Sequence, residues 1–183
     1  MKAPFLALSE LVADEFGPLR VFRPNRDVRF SKDKAPYKTR CYAATEGQGG
    51  EAYYVEISPK GLAVASGYWM MANDQLDRYR RAVDDDQAGA VLQRIVADLG
   101  SQALDIESHG LKTAPRGYSR DHPRVSLLRH KSMAAMRTFA PAGWLATGAA
   151  ADRILDVGRA VGPLNKWLGH HVGPSTEPPP APR

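Results

Sequence analysis

A chain of 183 residues, 43% hydrophobic and 25% charged, is long enough to bury a core in one domain and too apolar to be a disordered polymer. Its net charge of +5 is unevenly placed: residues 20–40 and 111–137 hold 15 of the 25 basic side chains and 3 of the 20 acidic ones, so the rest is an acidic scaffold. A single cysteine, Cys41, excludes an internal disulfide and points to a reducing, cytoplasmic compartment.

In chain order, residues 6–16 have apolar side chains at helical spacing, and Gly17 and Pro18 stop the helix. Asp14 and Glu15 break the first apolar stretch, so no signal peptide is expected. Residues 20–40 show neither period. Pro24 and Pro36 favour extended or turn backbone before them, so a loop is predicted, with brief strand near 28–30. Residues 41–44 read as a strand and 47–50 as a turn. The clearest hairpin pairs 52–58 with 62–68 about a turn at Pro59, Lys60 and Gly61.

Asn73 is the expected N-cap of a helix over 74–83, with Leu76, Tyr79 and Val83 on one face. Asp84, Asp85 and Asp86 open a second helix, where its dipole favours carboxylates, and Gly100 is its expected end. A short strand near 103–107 follows. Residues 109–122 are aperiodic, 123–130 suit a short helix, and 132–138 read as a strand. The strongest helix spans 149–168 on the stripe Ile154, Val157, Val161, Leu164 and Leu168. Gly169 is its expected stop, and residues 173–183 form a Pro-rich tail expected to be disordered. The most apolar window, 140–151, is too short to cross a bilayer.

The two basic stretches are the candidate sites. Arg26, Arg29, Lys32, Lys34 and Lys38 stand on loop sequence with Asp27 and Asp33 among them and Tyr37 alongside. Guanidinium forks and ammonium groups in that setting suit a phosphate or carboxylate. In the second stretch a Pro-Arg-Gly-Tyr turn would present Arg116 outward over Tyr118, with Lys112 just ahead. The bland alternative is that each stretch pairs with the acidic scaffold. The histidines lack metal-ligand spacing, so no metal site is expected. Asp121 and His122 fit an N-cap beside a surface histidine better than an acid–base pair. The Ser31 to Lys34 spacing lacks the companion motifs of penicillin-recognising enzymes. Cys41 reads as a buried strand cysteine, and Tyr53, Tyr54, Tyr68 and Trp69 as core. No phosphate-binding glycine loop or cofactor motif occurs.

RDVRFSKDKAPYKT (26–39), Tyr53 and Tyr54, the SPKG turn (58–61), the GYW step (67–69), LKTAPRGY (111–118) with DHP (121–123), and Pro163, Leu164, Trp167 and Leu168 together resemble one bacterial and fungal family. It is the conserved hypothetical proteins grouped as domain of unknown function 2461. The resemblance covers residues 3–172 and carries no established activity. It implies functional weight at Arg26, Asp27, Arg29, Phe30, Lys32, Asp33, Lys34, Pro36, Tyr37 and Lys38, and at Leu111, Lys112, Pro115, Arg116, Gly117 and Tyr118. It also leads one to expect a further helical, aromatic-rich segment ahead of residues 4–16, which this sequence does not show.

The sequence therefore predicts a single α+β domain, a mainly antiparallel sheet with packed helices, over residues 1–172. It predicts an anionic, phosphate-bearing small ligand held between the two basic stretches. Two alternatives stay open: nucleic-acid binding through the same stretches, and a purely structural set of salt bridges. Neither a reaction nor a cofactor is implied, and no membrane partner is expected.

Overall fold

The computed structural model describes residues 2–23, 25, 37–45, 50–107 and 109–177, with the side chains of residues 2–4 set aside. It is an α+β fold whose described residues form five α-helices and a six-stranded antiparallel sheet of order β1-β2-β3-β4-β6-β5. The elements are α1 (Lys2–Phe16), β1 (Leu19–Val21), β2 (Cys41–Thr45), β3 (Glu51–Ser58), β4 (Gly61–Tyr68), α2 (Asn73–Asp84), α3 (Asp86–Ser101), β5 (Asp105–Glu107), α4 (Val125–Leu128), β6 (Met133–Phe139) and α5 (Ala149–His171), with a 3-10 turn at Gly143–Ala146. Contacts group the described residues into two compact units. One holds those of 1–46, 53–65 and 137–159, the other those of 47–52, 66–136 and 160–183.

In the first unit, alternation along β2 and β3 buries Ala43 and Val55 and leaves Tyr42, Tyr54 and Glu56 on the more open face. Phe5 and Val12 of α1 join the buried set. The end of α1 is fixed by shape and charge. A Cβ at Gly158 would stand 2.1 Å from the Phe16 ring, so only glycine leaves room for that ring. Phe16 stacks on Tyr53 with centroids 4.4 Å apart, and Arg159 grips both Glu15 carboxylate oxygens at 2.8 Å.

In the second unit, Leu76, Tyr79 and Val83 of α2 are buried with Leu92 and Leu99 of α3 and Val161, Leu164 and Leu168 of α5. The buried Tyr79 hydroxyl donates to the Leu127 carbonyl at 3.0 Å, and burial pushes its pKa well above the ordinary phenol value. Trp167 meets Tyr79 edge-on and donates from Nε1 to the Ala88 carbonyl at 3.0 Å.

Several boundaries differ from the sequence reading. Asn73 is not the N-cap of α2. Ala72 takes that place, and its N–H is satisfied by Gln75 Oε1 at 3.0 Å from the third helical position. Gly100 does not end α3. The chain leaves at Ala103, held at φ 57 while the Leu104 and Ala103 amides return to Leu99 and Gly100 carbonyls. That is a Schellman closure, and burial of both Leu99 and Leu104 favours it at an alanine. Gly169 does not end α5 either. The buried spacing continues from Leu168 to Val172, and the left-handed residue is Gly173. The predicted strand near 28–30 and most of the 47–50 turn lie outside the described residues.

Residues 173–177, the start of the expected disordered tail, are held by hydrogen bonds to the first turns of α2. Gln75 Nε2 and Arg78 donate to the Gly173 and Pro174 carbonyls, and Asp74 accepts from the Ser175 hydroxyl and from the Thr176 amide and hydroxyl. Residues 178–183 lie outside the described residues. The Thr176 amide, ahead of the Ser175 and Arg78 hydrogen bonds, holds the Asp74 carboxyl well below the usual carboxylate range. A depressed folded-state pKa contributes stability above the unfolded value and loses it as pH falls below that value. Hydrogen exchange at the Thr176 amide should therefore be slow at neutral pH, and should accelerate beyond the intrinsic pH trend below about pH 4. Asp74→Asn should show fast exchange at neutral pH with little change in overall melting.

Candidate functional site

The second basic stretch is built around a helix corner. Helix α2 ends at Asp84, and Asp85 is at once its C-cap and the N-cap of α3, its Oδ1 accepting from the Gln87 and Ala88 amides at 3.0 and 2.8 Å. The last carbonyls of a helix have no partner within it. Here one side chain supplies it: Arg124, 7% exposed, donates from Nε to the Val83 carbonyl at 2.6 Å and from Nη2 to the Asp84 carbonyl at 2.8 Å and Asp86 Oδ1 at 3.0 Å. The guanidinium passes where α3 has no side chain. A Cβ at Gly89 would lie 2.5 Å from Arg124 Nε and 2.3 Å from the Val83 carbonyl oxygen.

His122 completes the corner. Its Nδ1 accepts from the Arg124 amide at 3.0 Å, so the ring proton sits on Nε2 and is donated to Asp84 Oδ1 at 3.1 Å. The expectation for Asp121 and His122 is corrected here. His122 is largely buried, Asp121 is exposed, the N-cap of α4 is Arg124, and the carboxylate at the imidazole belongs to Asp84.

From this corner the chain presents residues 115–118. The Tyr118 amide returns to the Pro115 carbonyl at 3.2 Å, and Gly117 has φ 91. That is a type II turn, whose third residue needs positive φ and whose second, Arg116, is thrust outward. Pro115 is buried, Tyr118 half-buried and Arg116 exposed, as the sequence spacing suggested. Arg116, Gly117 and Tyr118 line an open cleft of about 530 Å³ with Asp77, Arg81 and Asp84. Burial, and secondarily Asp84, raise the Tyr118 pKa. Neither Arg116 nor Lys112, which is also exposed, has a hydrogen bond or ion pair among the described residues.

Of the first basic stretch, Arg26, Arg29, Lys32 and Lys34 lie outside the described residues. Its two ends are described: Asn25 and Tyr37 face each other as an antiparallel bridge, and the Phe22 amide donates to the Tyr42 carbonyl at 3.0 Å. The antiparallel pairing of β1 with β2 thus continues past Val21 through Phe22 and Asn25. Tyr37 is 64% exposed. Lys38 is engaged, donating from Nζ to the Tyr42 hydroxyl at 2.8 Å. Arg40 bonds Glu56 at 2.8 Å and lies 5.1 Å from the Tyr42 ring centre, and Phe22 stacks on Tyr42 at 4.7 Å. Tyr54, expected in the core, is half-buried on this open face and donates to Glu56, whereas Tyr68 is buried.

A second concavity, of about 610 Å³ in the first unit, is lined almost wholly by apolar groups, among them Phe5, Leu8, Leu11, Ile57 and Leu145. Cys41 lies on its wall and is half-buried rather than buried. Among the described residues no group of three His, Cys, Asp or Glu side chains is placed to hold a metal ion, and no helix is long and apolar enough to cross a membrane. Sequence reasoning missed Arg81, Asp77 and Asp84 as partners of the Pro-Arg-Gly-Tyr turn. Asp77 and Arg81 are one turn apart on α2, which places them on one face, but no local pattern tells which loop that face meets.

An antiparallel six-stranded sheet with helices and two Pro-containing basic motifs defines the class. The chain belongs to the conserved hypothetical protein family DUF2461, which matches residues 3–167. No curated protein and no solved structure matches it.

The corner separates two kinds of arginine in one stretch. Arg124→Ala strands two helix-end carbonyls and should lower unfolding free energy by about 3 kcal/mol. Arg116→Ala should change it by less than about 0.5 kcal/mol. Urea denaturation of both variants checks this.

Proposed function

We propose that this protein binds a small anionic, phosphate-bearing ligand through its second basic stretch, with Arg116 and Arg81 as the phosphate-binding groups. Tyr118 forms the wall, and Lys112 adds charge to the same loop. The observation that carries this reading is the state of Arg116. A turn that requires Gly117 holds it outward at the rim of an open cleft, with no protein partner among the described residues. The turn sets where the side chain leaves the backbone, and its planar guanidinium can match two phosphate oxygens.

The reading for Arg26, Arg29, Lys32 and Lys34 continues to rest on the sequence. Lys38 receives less support, because it already donates to Tyr42, while Tyr37 stays exposed. Nucleic-acid binding would draw on aromatic rings interleaved with cations. Against it, Tyr42 is already stacked on Phe22 and Arg40 is paired with Glu56. The structural reading fits Arg124 and His122 and leaves Arg116 and Lys112 unexplained. With both His122 nitrogens engaged, binding is better supported than acid–base chemistry. We place the protein in the cytoplasm on the strength of its one unpaired cysteine.

Calorimetric titration with inorganic phosphate should give saturable one-to-one binding at roughly millimolar Kd. Arg116→Ala should weaken it about tenfold or more. Binding unchanged in that variant would sink the proposal. Tight binding of oligonucleotides with a steep salt dependence would favour the nucleic-acid reading instead.

A further inference from the structure

We infer that the cleft at the Pro-Arg-Gly-Tyr turn takes a zwitterion, a small molecule carrying both a phosphate and a primary ammonium group. The inference rests on the anion-binding reading of the same cleft and narrows its ligand class.

Its walls carry two guanidiniums, Arg81 and Arg116, and two carboxylates, Asp77 and Asp84. Their formal charges cancel, so a bare phosphate there meets repulsion as well as attraction. Yet the opposite charges do not neutralise one another. Asp77 and Arg81 are four residues apart on α2, a spacing at which ion pairs form. Arg81 Nε donates instead to the Asp77 backbone carbonyl at 3.3 Å. The Asp77 carboxylate thus has no hydrogen bond or ion pair among the described residues. Asp84 accepts from His122 Nε2 with one oxygen, and its side chain is 54% exposed.

Unspent donors and unspent acceptors therefore line the same cleft. A ligand with one sign satisfies half of them. A phosphate on Arg81 and Arg116, with an ammonium on Asp77, satisfies both kinds. The half-buried Tyr118 hydroxyl, which can donate to the phosphate or accept from the ammonium, suits either end. The apolar concavity of the first unit has no such groups.

The test is calorimetric titration of the full chain at low ionic strength with O-phosphoethanolamine, inorganic phosphate and ethanolamine. O-phosphoethanolamine should bind about fivefold tighter than inorganic phosphate, the gain expected from one partly exposed ion pair. Ethanolamine alone should not bind measurably. Asp77→Asn, at an exposed side chain with no partner to lose, should cut the advantage below about twofold and leave phosphate affinity unchanged or higher. Arg116→Ala should weaken both phosphate ligands. Equal affinity of the two in the parent protein overturns the zwitterion inference and leaves the anion-binding reading standing. Absence of binding by either overturns both.

Discussion

The second unit depends on one buried guanidinium. Two helices meet at Asp85 with no linker, which leaves the last carbonyls of α2 facing the first turn of α3. Arg124 satisfies them from inside, through the notch at Gly89, and its charge complements both the negative end of α2 and the carboxylate of Asp86. An arginine buried this deeply is stable only with its donors engaged. The arrangement is therefore mutual: the corner needs the guanidinium, and the guanidinium needs the corner. His122 reads the same geometry from the side, accepting the Arg124 amide and donating to Asp84.

This anchoring gives the exposed cations their meaning. A loop carrying many charges is ordinarily a set of mobile, hydrated side chains whose ion pairs contribute little. Here the loop is pinned at Arg124, at His122 and by the Leu111 and Lys131 amides, which bond the Arg129 and His109 carbonyls at 2.8 and 2.9 Å. The Pro115–Tyr118 hydrogen bond then fixes the direction of Arg116. Side chains of one basic stretch thus divide by burial, with Arg124 spent on the fold and Arg116 held out over a cleft. In the first unit the described cations Lys38 and Arg40 fall with the spent ones, against Tyr42 and Glu56.

Much of this was legible in the sequence. The α+β class, the hairpin around Pro59 and Lys60, the buried stripe of α5 and the outward Arg116 follow from local periodicity and turn chemistry. Helix ends were less legible, because tertiary burial decided them. Leu104 closed α3 over an alanine, and Val172 carried α5 past Gly169. The role of Arg124 was hidden because nothing in its neighbourhood separates a buried arginine from an exposed one. The acidic run 84–86 predicts a helix start, and α3 begins there. It is also a helix end, and a cation was needed there. Asp77 and Arg81 were invisible as site residues because their partners lie some forty positions away.

The division between spent and offered arginines is open to direct observation. A proton–nitrogen correlation spectrum of the arginine Nε groups, recorded while inorganic phosphate is added, reports each guanidinium separately. Saturable shifts of the Arg116 and Arg81 signals, with the Arg124 signal unmoved and protected from exchange, are the expected result. Shifts of Arg124 in step with Arg116, or no saturable shift at Arg116, would contradict it.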